Sequence, residues 1–130
     1  MGFKVEWELD SEVVDEREYL GTIRLSSERG VIAEDNVYLD SWFCALIEAS
    51  SSDLPEISVD IPEESHRLKV CRRVDGSIEI RFGRQSAFAQ ALPEFREAVL
   101  LAVRQFIDTA AAETTRPTLL AKLRQVLTRL

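Results

Sequence analysis

Histidine occurs once in the 130 residues, at His66, and cysteine twice, at Cys44 and Cys71. This scarcity sets the first limits on chemistry. A tetrahedral metal site of nitrogen and sulfur ligands needs four donors. Three residues without a CxxC or Cys/His cluster do not provide them. A serine, histidine and acid set would have to use His66, whose neighbours in PEESHR are Glu63, Glu64 and Ser65, and no GxSxG turn presents a serine. His66 therefore reads as a solvated loop residue beside two carboxylates. Glycine is also sparse: the five, at 2, 21, 30, 76 and 83, make neither GxGxxG nor a Walker loop, which removes the common nucleotide-binding designs. No EF-hand pattern organises Asp10, Glu12, Asp15, Glu16 and Glu18, so that cluster reads as a solvated acidic loop. The expectation is a protein without metal, cofactor or identifiable catalytic residue.

Long apolar runs are missing too. A membrane-spanning helix needs about 18 or more uncharged apolar residues, and Arg96, Arg104 and Asp108 interrupt the most apolar stretch. The opening MGFKVEWELD alternates, so no secretory signal is expected, and Glu6 stands where a myristoylation motif needs Ser or Thr. These features predict a single cytoplasmic domain over residues 1–130 with free thiols, of ordinary globular composition.

What the chain does contain is periodicity. PEFREAVLLAVRQFIDTAAA, from Pro93 to Ala112, is the strongest helix signal, and the stretch the rest of the chain is expected to pack around. Wound at about 100° per residue, it aligns Phe95, Val99, Ala102, Val103, Phe106 and Ala110, with Leu100 and Ile107 on the flank and Glu97, Arg104 and Asp108 opposite. Phe3, Val5, Trp7 and Leu9 alternate with Lys4, Glu6, Glu8 and Asp10, the pattern of a half-buried strand. Tyr19, Gly21, Ile23 and Leu25 do the same, with Gly21 a candidate bulge. SSERG and AEDN read as turns, and Asn36 as the cap of a helix over about 37–49 carrying Leu39, Trp42, Phe43, Leu46 and Ile47 on one face.

EISVDI, between Pro55 and Pro62, reads as a short strand. RLKVCRRVDGSIEIRFG reads as a hairpin. A two-residue Asp75-Gly76 turn would put the apolar residues of its strands on opposite faces. A three-residue loop Val74-Asp75-Gly76 with Gly76 left-handed instead pairs Val70 with Ile80 and Leu68 with Phe82. Lys69, Cys71, Arg73, Glu79 and Arg81 then share the outer face, which is expected to be basic and free of aromatics. SAFAQAL reads as a bridge, and Leu119, Leu120, Leu123, Val126, Leu127 and Leu130 draw a leucine stripe on a final helix over 117–130. The fold class predicted is α+β: about five strands in a mainly antiparallel sheet, covered on one face by helices, with two C-terminal helices.

Charge is divided unevenly. Residues 1–65 hold 17 of the 23 acidic side chains and 4 of the 16 basic ones, a net of −13; residues 66–130 carry a net of +6. The two halves are expected to attract each other in the fold or across a dimer, or to steer partners of opposite sign. The sequence pI of about 4.8 argues against nucleic acid as the main ligand. The leading expectation is a non-enzymatic protein-interaction module whose acidic half, through Glu6, Glu8 and Asp10, docks a basic partner, as an inhibitor or immunity-type protein does. Lys69, Arg73 and Arg81 mark the opposite, basic surface, suited to phosphate or an acidic protein. Two alternatives stand beside it. Trp7, Tyr19, Tyr38, Trp42 and Phe43 with nearby carboxylates could line a small-ligand or enzyme pocket. Leu120, Leu123 and Leu127 could instead make the chain an assembly protein that dimerises through its last helix.

Overall fold

A computed structural model describes residues 2–9, 20–62 and 64–113, with side chains as far as Thr109. The elements run β1 (Lys4–Leu9), β2 (Leu20–Ser27), β3 (Gly30–Tyr38), α1 (Leu39–Ser51), β4 (Glu56–Asp60), β5 (Arg67–Arg72), β6 (Ile78–Phe82), β7 (Gln85–Ala89) and α2 (Leu92–Glu113). The class is α+β and each of these pairings is antiparallel. The strands do not form the single five-stranded sheet expected. They divide into two sheets, β1-β2-β3 and β4-β5-β6-β7.

The difference comes from two strands that sequence patterning hides. In β3 the alternation is broken: Ile23 faces Glu34 and Gly21 faces Val37, so Asp35 and Asn36 together stand against Thr22. Asn36 takes φ 56°, a left-handed conformation that asparagine tolerates better than most residues. The Thr22 hydroxyl donates to Asp35 Oδ1 at 3.3 Å. This bulge shifts the parity, so Ile32 and Val37, an odd number of positions apart, are both buried. Asn36 is therefore a bulge residue and not the helix cap, a position that falls to Tyr38, whose side chain does not cap the helix. β7 replaces the expected bridge. It is built from Gln, Ser, Ala and Phe, mostly weak strand formers, and pairs with β6 across the two-residue turn Gly83-Arg84.

The β5–β6 hairpin has the bulged register, with Leu68 opposite Phe82 and Val70 opposite Ile80. Gly76 is left-handed at φ 89°. The loop is closed by the Arg73 N–H donating to the Ser77 carbonyl at 2.8 Å and the Gly76 N–H to the Arg73 carbonyl at 3.0 Å.

The centre of the molecule is α1 and not the longer α2. Leu39, Trp42, Phe43, Ala45, Leu46, Ile47, Ala49 and Ser50 are all buried, because α1 touches both sheets and α2. Trp42 turns to the second sheet, its ring 4.7 Å from Phe82. Phe43 turns to the first sheet and α2, 6.3 Å from Trp7 and 4.9 Å from Phe106. These rings fill the interior edge to face, and truncating Trp42 or Phe43 to alanine is expected to cost roughly 3–5 kcal/mol. On α2, Phe95, Val99, Ala102, Val103, Phe106 and Ile107 are buried as the periodicity predicts, while Leu101 is exposed. Among the described residues no helix is long and apolar enough to cross a membrane.

The C-terminal end of α1 is tied to its surroundings by arginines. Arg96 of α2 donates through Nε to the Ser50 carbonyl at 2.6 Å, and Arg72 at the end of β5 donates to the Ser52 carbonyl at 3.1 Å. Each cation meets a carbonyl that the ending helix leaves without an intrahelical partner. The helix absorbs Ser50 and Ser51, so the serine run is only partly loop.

The two sheets meet where the β2–β3 turn lies along β7. Gln85 accepts the Ala33 N–H at 2.8 Å and donates to Glu34 at 2.9 Å. The Ser27 hydroxyl accepts the Phe88 N–H at 3.1 Å. Gly30 makes the approach possible, since a Cβ there would run into the Ser86 carbonyl.

Candidate functional site

The outer face of the second sheet is defined by register. Crossing it from β4, one row holds Ser58, Lys69, Arg81 and Ser86, and the next holds Glu56, Cys71, Glu79 and Phe88. Arg67 stands opposite Asp60 at the sheet end. The face is thus less uniformly basic than expected: Glu56 and Glu79 flank Cys71, and positive charge gathers at the end of the sheet near the β6–β7 turn.

Lys69 and Arg81 are direct cross-strand partners. Like charges so placed repel, and a fold selected only for stability would avoid them. Among the described residues neither forms a salt bridge. Arg67 does, to Asp60 at 3.3 Å, and also donates to the Ser58 carbonyl at 3.0 Å. His66 approaches the same end from the preceding loop. Its ring lies edge to face with Phe82 at 5.6 Å and 88° and rests on Gly83, where a Cβ would come within 3.0 Å of the imidazole. Gly83 adopts φ 61°, which suits the first central position of a two-residue hairpin turn. Its missing side chain leaves a notch. The outcome is a cleft of about 320 Å³ lined by Ser65, His66, Arg67, Lys69, Arg81 and Gly83. Among the described residues no carboxylate lines it.

Beyond the acidic row, Arg73 pairs with Glu79 at 3.5 Å, and Phe88 receives two guanidinium groups, Arg29 at 4.5 Å and Arg73 at 5.7 Å from the ring centre. An aromatic therefore does lie on this face, supplied by the strand that patterning missed. Cys71 is a free thiol. Burial first, and then the charges of Glu56 and Glu79, push its pKa up from the ordinary thiol range and make it a weaker acid, against a smaller opposing pull from Arg81.

Other sequence candidates fall elsewhere. Glu6 and Glu8 are exposed on the outer face of β1, opposite Arg24 and Thr22, so Lys4 and Arg24 interleave with them and the first sheet carries no continuous acidic patch there. The two halves of the chain do meet through ion pairs, Arg67 with Asp60 at 3.3 Å, Arg96 with Asp53 at 3.5 Å and Arg72 with Asp53 at 3.9 Å, all of them around the second sheet and the end of α1 and none from β1. Asp10, Leu120, Leu123 and Leu127, with Tyr19, lie outside the described residues. Trp7, Trp42 and Phe43 are packed against other rings.

Of the cleft's members, His66 reads from sequence as a solvated loop residue, and Ser65, Arg67 and Gly83 are not among the sequence candidates. The signal that would have found them is the pairing of Lys69 with Arg81, because extending that register by two residues brings Arg67 opposite the glycine of the β6–β7 turn. No family model matches the chain, and no curated protein or solved structure matches it.

Proposed function

We propose that the chain is a non-enzymatic protein-interaction module of the cytoplasm that docks an acidic partner on the basic end of its second sheet. The observation that carries this reading is the Lys69–Arg81 cross-strand pair beside Arg67 and His66, in which neither Lys69 nor Arg81 forms a salt bridge among the described residues. Such a pair is destabilising in the free protein. An anionic partner relieves the repulsion on docking, so electrostatic energy withheld from folding appears in binding.

The opposite polarity, an inhibitor or immunity-type module that docks a basic partner, draws support from one feature: Glu6 and Glu8 are both exposed on an edge strand of the first sheet. The two readings separate by charge reversal. Affinity capture from cell extract is run with the wild type, the K69E/R81E variant and the E6K/E8K variant, at low and high salt. The proposal expects a partner that is lost at high salt and lost with K69E/R81E, but retained by E6K/E8K. The converse pattern transfers the function to the first sheet, and retention by both variants rejects electrostatic docking.

A further inference from the structure

We infer that the cleft between His66, Arg67, Lys69, Arg81 and Gly83 is a binding site for a phosphate monoester, carried by the acidic partner as a phosphorylated side chain. The inference rests on the docking reading above and names the group that the docking recognises.

Charge is the first reason. Three permanent cations line the cleft, one of them partly offset by Asp60 at 3.3 Å from Arg67, which leaves about two positive charges uncompensated. A single carboxylate carries one negative charge. A phosphate monoester carries nearly two near neutrality, with three terminal oxygens that accept hydrogen bonds. Donor geometry is the second reason. Arg81 offers a planar fork suited to two oxygens of a tetrahedral anion, Lys69 a compact point charge beside it. Ser65 contributes a hydroxyl, and His66, which makes no hydrogen bond among the described residues, contributes a ring nitrogen. Preorganisation is the third. The His66 ring is held by Phe82 and by the glycine notch, and the backbones that carry Lys69 and Arg81 are fixed as paired neighbours, so only their exposed side chains remain to be ordered on binding. The cleft, about 320 Å³ and open on one side, has room for the ester linkage as well as the phosphate.

The test is calorimetric titration of the full chain with four probes: a blocked glycine-rich peptide holding one phosphoserine, the same peptide with glutamate in its place, inorganic phosphate, and vesicles containing a phosphoinositide. The phosphopeptide is expected to bind, with inorganic phosphate weaker and the glutamate peptide at least about tenfold weaker, the loss of one charge-assisted hydrogen bond. Lys69→Gln and Arg81→Gln should each reduce phosphopeptide affinity about tenfold or more, while Arg104→Gln on the distant face of α2 leaves it unchanged. The inference is overturned by equal binding of the glutamate and phosphoserine peptides, by binding that survives both cleft substitutions, by binding of vesicles alone, or by no binding of any probe. Its failure is distinguishable from failure of the docking reading. A captured partner lost with K69E/R81E but carrying no phosphate sinks the phosphate site and keeps the docking face. Phosphopeptide binding without any captured partner keeps the site and removes the docking module.

Discussion

Replacing Lys69 with glutamate is expected to make the protein more stable, by about 1 kcal/mol at low ionic strength. Lys69 and Arg81 stand directly opposite on β5 and β6, and both are exposed. Two unit charges about 6 Å apart in a water-like dielectric interact by about 0.7 kcal/mol. Reversing one sign turns that repulsion into an attraction of similar size, so the unscreened change from this pair is about 1.4 kcal/mol. The diagonal neighbours Glu56 and Glu79 oppose it, and Arg67 on the same face of β5 offsets them in part. Side-chain mobility and residual screening reduce it toward the range of about 0.2–1 kcal/mol measured for cross-strand pairs. With a urea dependence of about 2 kcal/mol per molar, the unfolding midpoint should rise by about 0.5 M. Lys69→Gln should give about half the gain. In 0.5 M salt, where the Debye length falls to about 4–5 Å, most of the difference should disappear. The assay is urea denaturation followed by circular dichroism and by tryptophan fluorescence, whose coincidence checks two-state behaviour. A midpoint that is unchanged or lowered at low salt refutes the reasoning, as does a gain insensitive to salt.

Three further outcomes follow from individual contacts. Arg96→Ala removes a 2.6 Å bond to the Ser50 carbonyl from a guanidinium about one third exposed, and should cost about 1.5 kcal/mol in thermal or urea unfolding, with Arg96→Lys recovering only part. Asp75 accepts both the N–H and the hydroxyl of Ser77, at 2.9 and 2.6 Å, and these bonds hold its carboxyl below the usual aspartate range. Because the folded value is the lower one, the stabilisation is present above the unfolded value and is lost as pH falls through the folded one. Protection of the Gly76 and Ser77 amides, their exchange rate relative to the intrinsic rate at each pH, should therefore fall only below the usual aspartate range, and Asp75→Asn should flatten that dependence. Cys71 should react with iodoacetamide more slowly than a free thiol at pH 8. Glu79→Gln should accelerate the reaction and Arg81→Gln slow it, the reverse order contradicting the stated causes.

The parts of the fold legible in the sequence are those where one residue period persists. β1, the stripes of α1 and α2, and the β5–β6 register were all readable from spacing, and the register followed from one physical demand, that Val70, Ile80, Leu68 and Phe82 share a face. What escaped was period broken by backbone. The bulge at Asp35–Asn36 inverts the parity of β3 midway, and β7 fills its inward positions with Ala87 and Ala89, small residues that give almost no hydrophobic signal. Without β7 the second sheet lacks the turn that carries Gly83, and the outer face lacks Phe88. The cleft was half legible for the same reason. Lys69 and Arg81 were assigned to one face by register, but the notch that makes them a cleft depends on Gly83, read as the last residue of the hairpin and not as a turn into a further strand. The primacy of α1 was hidden too, because a helix of 13 residues between two sheets buries more of its circumference than a longer helix packed outside them.

The central claim is that binding takes place at the basic end of the second sheet, and backbone amide NMR during titration with the phosphoserine peptide tests it most directly. The account predicts saturable shifts confined to residues 65–70 and 80–84, needing about tenfold or more peptide to saturate in the Lys69→Gln protein, with the amides of β1 and β2 unmoved. Shifts centred on Glu6 and Glu8, or spread evenly over both sheets, would contradict it.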